Sequence, residues 1–291
     1  MATRATGKGD DRLSASVIRH CRFVIHSSFS PSSFVIPLRE TPVPVHKSTV
    51  LLLRCRDWSE TSQVVELLAR EVGRLRCLAK GSKRGQNLFS GPLDRWTLGE
   101  AVFSISNPNR LATLMELYET GRFDGLRRKL PAFYGASLAT ELVMALVPDL
   151  DPQPPVFDLV VRAFELLAEA EAEASRAVTF AFTWRLLALL GYGTDMGRCV
   201  QCDRPLDSHK PLRYSAGLGG PVCPQCCPEG KGKIHRLTAK TAQAMAFLAG
   251  ADWSEVRRVR LSQRTAREMR DVLVATVAEL AGKELSAARY V

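Results

Sequence analysis

Four cysteines form two Cys-x2-Cys pairs late in the chain. The first pair is Cys199 and Cys202, the second is Cys223 and Cys226, and twenty residues separate them. A Cys-x2-Cys turn lets two thiolates converge on one metal ion, and two such turns complete a tetrahedron. The sequence therefore predicts one structural zinc ion (Zn2+) bound by these four residues. Four thiolates leave no coordination position for water or substrate, so the predicted role is structural.

Other arrangements of this segment are open. Cys227 directly follows the second pair and is either a small neighbour of the site or a replacement for Cys226, since Cys223-x3-Cys227 is also feasible. His209 and His235 lie nearby, but four cysteines already fill the site. Two disulfides or redox-active thiols are the alternative to a metal. Two Cys-x2-Cys pairs in a chain of this size favour a metal in a reducing compartment.

Basic residues are concentrated earlier, in the segment "AKGSKRG" and the runs before it. Because this region also carries positive net charge, it predicts a surface that follows nucleic-acid phosphates; a solvated charged face is the alternative. The residues predicted to contact nucleic acid are Lys80, Lys83, Arg84, Arg54, Arg56, Arg74 and Arg76. The candidates for base stacking are Trp58, Phe89, Trp96 and Phe103, of which some must belong to the core.

Charge is unevenly distributed along the chain. The whole sequence carries +10 with a pI of about 9.4, which favours polyanionic partners. Residues 47–130 contain 15 Lys and Arg against 9 Asp and Glu, residues 131–198 contain 4 against 9, and residues 199–240 contain 7 against 3. A basic front half thus precedes an acidic middle and a basic cysteine segment.

Motifs of hydrolytic and nucleotide-dependent enzymes are absent from the sequence. It contains no GxxxxGK[ST] phosphate loop, no HExxH and no GxSxG. No run of 18 apolar residues occurs, so no membrane span is predicted. A zinc-containing nucleic-acid-processing enzyme and a protein-binding scaffold are the alternatives to a non-enzymatic DNA-binding protein.

The elements that must position these residues divide the chain into parts. Residues 1–46 are rich in Ser and Pro and are predicted to be a disordered leader, although a transit peptide or an early start codon is an alternative. Residues 47–128 contain short β-rich runs with Gly-rich turns, typical of a small barrel or sandwich. Residues 129–291 show helical periodicity, interrupted by the cysteine segment at about 197–230.

Local signals set several helix ends in the second half. Thr238 and Ser262 are predicted N-caps, and the last helix should end near Gly282. Gly191 and Gly193 stand where the end of a helix favours a positive φ. We expect the helices that flank the cysteine segment to pack together.

Several segments resemble the RecO family of bacterial recombination mediators. "STVLLLRCRDWSETSQVVELLAREVGRLRCLAKGSKRG" resembles its opening, and "FTWRLLALLGYGTDMGRCVQC" and "YSAGLGGPVCPQC" are similar to its later half. The resemblance covers about residues 47–250 and implies an α+β protein. It implies a five-stranded OB-fold β-barrel at 47–128, followed by an all-helical domain at 129–291 that carries an inserted four-cysteine zinc module. Trp58 departs from the more usual Tyr or Phe.

The resemblance also implies a function without catalysis. Family members bind single- and double-stranded DNA and anneal complementary strands in the cytoplasm, in association with the nucleoid. With RecR, and often RecF, they help to load RecA onto DNA coated by single-strand-binding protein, whose acidic C-terminal tail they contact. By position, the basic loop residues Lys80, Lys83 and Arg84 are the implied DNA contacts, and the strand arginines are implied less directly.

Overall fold

A computed structural model describes residues 43–84, 89–227 and 234–290. The predicted leader lies outside the described residues up to position 42. Its last residues do not, because the first strand begins at Val45, two residues before the predicted start of the barrel. Within the described residues, no helix is long and apolar enough to cross a membrane.

Five strands close into a barrel in the order β1-β2-β3-β5-β4, with β4 pairing back onto β1. This is the order of a five-stranded Greek-key OB-fold. Among the described strands of the barrel, β3 and β5 pair in parallel and the other neighbours pair antiparallel. Buried side chains of every strand fill the interior, among them Val50, Leu67 and Phe103. The strands are β1 Val45–Asp57, β2 Gln63–Ala69, β3 Gly73–Ala79, β4 Thr97–Ser104 and β5 Ala112–Arg122.

The barrel settles segments whose periodicity leaves the element type open. Residues 63–69 and 112–122, whose apolar residues fit the period of a strand or of a helix, are both strands. The sequence pattern of residues 91–106 favours strand, turn and strand, but the segment contains the single strand β4. The reason lies at Trp96, whose φ of 62° takes the chain out of an extended course and whose side chain is buried against helices.

Four helices follow the barrel, and three of them form the main helical core. The apolar stripe of α3 at Phe157, Val160 and Phe164 is buried, as its spacing predicts. α2 and α4 are buried around most of their circumference, as expected for helices with apolar residues on several faces. The helices are α1 Gly125–Arg128, α2 Leu130–Leu146, α3 Pro154–Glu169 and α4 Ala172–Leu189.

Three further helices follow the cysteine segment: α5 Ala239–Gly250, α6 Trp253–Val256 and α7 Gln263–Ala281. The predicted caps are confirmed, because the hydroxyls of Thr238 and Ser262 accept hydrogen bonds from the first turns of α5 and α7. Gly282 ends α7 with a φ of 64°. Gly191 also has a positive φ, whereas Gly193 does not. α4 packs on α5, so the flanking helices meet as expected.

The second half is not helical throughout. It contains the strands β6 Leu212–Ser215, β7 Gly220–Val222 and β8 Ile234–Leu237, which form a three-stranded antiparallel sheet in the order β7-β6-β8. The α+β class holds: β6 and β7 lie within the predicted insert at about 197–230, and β8 adds one strand just beyond it, where helix alone was expected. Strands of three or four residues are too short to show a period of two, which explains why the sequence does not reveal them.

Trp96 joins the barrel to the helices. Its ring lies edge-on to Phe133 and Phe164, with centroid distances of 5.5 and 6.1 Å, and its indole N–H donates to the Thr140 hydroxyl at 3.0 Å. Arg74 makes a second connection from β3, because its guanidinium lies 2.7 Å from Asp149 and donates to the Val147 carbonyl. These contacts fix the barrel against α2 and α3.

Candidate metal centre and nucleic-acid interface

The sulfur atoms of Cys199, Cys202, Cys223 and Cys226 all lie within 4.8 Å of one another. The Sγ atoms of Cys202 and Cys223 are 3.8 Å apart. A tetrahedron with metal–sulfur bonds of about 2.3 Å has edges of roughly 3.8 Å, so the spacing suits a tetrahedral metal ion. These are the four cysteines that the sequence spacing selects, and together they could hold one ion.

Two turns present the sulfurs. The first turn is closed by hydrogen bonds between Cys199 and Asp203 and between Cys199 and Arg204. Arg198 braces it through a paired contact with the Asp203 carboxylate, both distances being 2.7 Å. The second turn follows β7, and the Cys226 amide donates to the Cys223 carbonyl. The small sheet therefore serves to bring the second cysteine pair to the first.

Backbone groups favour ionised sulfur at this centre. Burial raises the pKa of Cys199, but hydrogen bonds from the backbone of Cys223, Cys202 and Gln201 outweigh it and lower the pKa to about 6. The pKa of Cys223 is lowered in the same way, chiefly by the Cys226 amide acting against burial. Hydrogen bonds shared first with Cys202 and then with Cys223 raise the pKa of Cys226 to about 12. The thiolate is the form of cysteine that binds a metal ion, so the lowered pKa of Cys199 and Cys223 suits metal binding.

Other residues considered as ligands lie outside the cluster. Cys227 is half-buried and packs beside it, without joining the four close sulfurs. His209 is exposed, and His235 lies on β8. All seven cysteines of the described residues are free thiols, so the alternative of two disulfides has no support from the geometry.

Outward-facing side chains of β1, β2 and β3 carry several of the predicted DNA contacts. Strand pairing sets Arg54 opposite Glu66 and Glu66 opposite Arg76, so the three share one face. Arg54 lies 3.7 Å from Glu66 and is partly neutralised by it, whereas Arg56 and Arg76 are exposed. Arg74 lies on the same side of β3, but its contacts with Asp149 and Val147 engage it between barrel and helices.

The basic loop after β3 is anchored to the loop between β1 and β2. The Lys83 amide donates to the Thr61 carbonyl at 3.1 Å, and the Gly81 amide donates to the Ser62 hydroxyl at 3.2 Å. The Lys83 ammonium also donates to Asp57 at 2.7 Å, and this hydrogen bond lowers the pKa of that carboxyl. The charge of Lys83 is thus matched, while Lys80 and Arg84 are exposed.

A groove of about 700 Å³ lies between these two loops and the start of β5. Lys80, Arg84 and Trp58 line it together, and Trp58 is 67% exposed. Of the four aromatic residues proposed for base stacking, Trp58 is the exposed one. Phe89, Trp96 and Phe103 are buried. Exposed cations and an exposed indole in one groove can contact phosphates and bases at the same time.

Sequence reasoning missed the residues that hold this interface in place. The Lys83–Asp57 pair and the engagement of Arg74 with Asp149 join positions 26 and 75 residues apart, and no local pattern announces either. One signal in the sequence bears on Trp96. It directly follows residues 91–95, which begin with Gly and Pro, and an aromatic residue beside such a turn segment need not belong to a strand.

Comparisons with known proteins agree with this architecture. Residues 44–119 match the family "Recombination protein O N terminal", and residues 127–288 match "Recombination protein O C terminal". A DNA repair protein RecO from Anaeromyxobacter dehalogenans is 30% identical over 84% of this chain and 94% of its own length. Those from Symbiobacterium thermophilum and Salinibacter ruber are 29% and 32% identical, over 78% and 77% of this chain and 88% and 83% of their own lengths. The chain therefore belongs to the RecO family of DNA repair proteins.

Proposed function

We propose that this chain is a recombination mediator that binds single- and double-stranded DNA and anneals complementary strands without breaking any bond. One observation carries the proposal: Lys80, Arg84 and the exposed Trp58 line a single groove of an OB-fold barrel. The outward arginines Arg56 and Arg76 extend the positive surface along the strands. Family membership supports the same reading.

The proposed mechanism uses charge and stacking alone. Lysine and arginine side chains neutralise phosphates, which provides affinity without sequence preference. The Trp58 ring offers a face on which a base can stack. A strand held in this way keeps its other bases open, and Watson–Crick pairing then selects the complementary strand. No side chain in this scheme acts as a nucleophile or general base, so we propose no enzymatic activity.

The proposed partners follow from the family. The chain would work with RecR, and often with RecF, to load RecA onto DNA coated by single-strand-binding protein, and would contact the C-terminal tail of that protein. The site of action would be the cytoplasm, in association with the nucleoid.

We propose that the four-cysteine cluster holds one Zn2+ with a structural role. All four donors are sulfur, two of the thiols have a lowered pKa, and the sulfur spacing suits a tetrahedron. Bound zinc would supply cross-linking of the two turns and no reaction chemistry, because the four sulfurs fill its coordination sphere. Cys199 and Cys223 are buried with Val222 in a small cluster of their own, which the bound ion would hold together.

The test of DNA binding is the double variant K80E/R84E. We expect it to lose affinity for single-stranded DNA, measured by fluorescence anisotropy, and to anneal labelled complementary strands more slowly. The control is R258E/K283E, which makes the same charge change at two exposed positions of the helical half. If K80E/R84E anneals strands at the wild-type rate, the groove is not the DNA site.

A second measurement separates the mediator from an enzyme. Labelled single- and double-stranded DNA is incubated with the wild-type protein and Mg²⁺. We expect the DNA to stay intact, and accumulation of cleavage products would refute the mediator proposal in favour of a nucleic-acid-processing enzyme.

A further inference from the structure

A cleft of about 280 Å³ on the helical half is lined by four arginines. We call it the arginine cleft. Arg176 comes from α4, Arg267 and Arg270 come from α7, and Arg289 belongs to the 3₁₀ turn Ala287–Tyr290. None of these residues belongs to the groove on the barrel or to the cysteine cluster.

Helical spacing explains the composition of the cleft. Gln263, Arg267 and Arg270 follow one another at intervals of four and three residues, so they occupy one face of α7. Another face of the same helix, with Met269 and Leu273, is buried in the core. α7 therefore directs one stripe to the core and a separate polar stripe to the cleft.

The arginines in the cleft form fewer ion pairs with carboxylates than the arginines around it. Within the described residues, Arg176, Arg267 and Arg270 have no ion pair, and Arg289 is paired with Glu284. Neighbouring arginines each face a glutamate: Arg257 with Glu169, Arg260 with Glu173, and Arg264 with Glu268. Concentrating unmatched guanidinium groups in a concave site attracts an anion with several negative charges.

An aromatic surface adjoins these cations. Tyr290 lines the cleft, is 61% exposed, and stacks on Tyr134 with a centroid distance of 4.6 Å and an interplanar angle of 13°. Tyr134 thereby holds the ring of Tyr290 in a fixed plane. Guanidinium groups beside a fixed, exposed ring suit a nucleic acid better than an acidic peptide, because phosphates contact the arginines while a base stacks on the ring.

From these features we infer that the arginine cleft binds the phosphate backbone of a second nucleic-acid strand, apart from the strand held by the barrel. The inference rests on the proposed function, since annealing brings two strands to one protein. Arg267 and Arg270 contact phosphates, and Tyr290 supports a base.

The experiment compares R267Q/R270Q with R257Q/R260Q, which removes the same charge from arginines that are already matched. Affinity for a fluorescent single-stranded oligonucleotide is measured by anisotropy between low and high salt. Each phosphate contact contributes about 0.7 to the slope of log K against log salt on single strands. We expect the slope of R267Q/R270Q to become shallower by about 1.4 and its annealing rate to fall. The control should match the wild type in both.

Two further variants separate the loss of charge from a loss of folding. R267K/R270K keeps the charge and should retain the salt slope. Should the double glutamine variant fail to fold in a circular-dichroism melt, R267Q alone, at an exposed position, should make the slope shallower by about 0.7. An unchanged slope in a folded variant overturns the inference.

Further comparisons distinguish failure of this inference from failure of the proposed function. If the wild type binds DNA and K80E/R84E weakens that binding while R267Q/R270Q does not, only the arginine cleft is refuted. If the wild type does not bind DNA at all, the proposed function fails first. A polyglutamate peptide is titrated in parallel, and loss of peptide binding without loss of DNA binding in R267Q/R270Q would assign the cleft to a protein partner and overturn the inference.

Discussion

Glu268 joins α7 to the beginning of α5, and its replacement by glutamine should change the pH dependence of stability. Its carboxylate accepts hydrogen bonds from the Thr238 amide at 2.9 Å, the Thr238 hydroxyl at 3.0 Å and the Thr241 hydroxyl at 2.6 Å. Arg264 donates to the other oxygen at 2.9 Å. Burial raises the pKa of Glu268, but these hydrogen bonds outweigh it and lower the pKa from 4.5 to about 2.

The size of the effect follows from that difference in pKa. A carboxyl that titrates near 2 in the folded protein and near 4.5 in the unfolded chain contributes at most about 3 kcal/mol at neutral pH. Water reaches the carboxylate, since the side chain is 16% exposed, so we expect E268Q to lower the free energy of unfolding by about 1 to 2 kcal/mol. Because the folded pKa is the lower one, this stability is complete above pH 4.5 and is lost as the pH falls toward 2.

The assay is urea denaturation of the wild type and E268Q at several pH values between 2 and 7, followed by circular dichroism. The difference between the two free energies of unfolding should be largest above pH 4.5 and should shrink toward pH 2. Protonation of the cysteine cluster at low pH affects the wild type and E268Q equally, so it cancels in the difference between their free energies of unfolding. E279Q, at an exposed position of the same helix, is the control and should track the wild type. A difference that does not vary with pH would refute the reasoning.

Two further predictions concern side chains that the structure separates by environment. W58A should weaken single-stranded DNA binding by about 1 to 3 kcal/mol and leave the melting temperature unchanged, because Trp58 is exposed in the groove; W96A should lower stability by about 3 to 5 kcal/mol, because Trp96 is buried between barrel and helices. If W58A instead lowered the melting temperature and W96A weakened only DNA binding, the roles assigned to the two tryptophans would be wrong. C226S should lower zinc content measured by atomic absorption, whereas C227S should keep it, since Cys227 lies outside the close sulfurs; zinc loss in C227S alone would contradict the ligand assignment.

Sequence reasoning reached the features that depend on neighbouring residues. The spacing of two Cys-x2-Cys pairs selected four sulfurs that the fold brings together. The caps at Thr238 and Ser262 and the stop at Gly282 are likewise local, because each depends on groups within a few positions.

Features that depend on residues far apart in the sequence could not be predicted from local patterns. Lys83 and Arg84 are adjacent in the sequence, yet only the fold shows that Asp57 neutralises Lys83. Arg74 shares a strand face with Arg76 but is engaged by Asp149, a residue beyond α2. The arginine cleft gathers residues from α4, α7 and the turn Ala287–Tyr290, so no single segment carries its pattern.

The most direct test of the account is the salt dependence of wild-type binding to single-stranded DNA. Four of the predicted contacts, Lys80, Arg84, Arg56 and Arg76, are exposed on the barrel. At about 0.7 per phosphate contact they predict that log K falls with log salt with a slope at least as steep as about −2.8. A steep, linear decline of this size in an anisotropy titration would support a phosphate-binding barrel. Affinity that stays constant from low to high salt would contradict it.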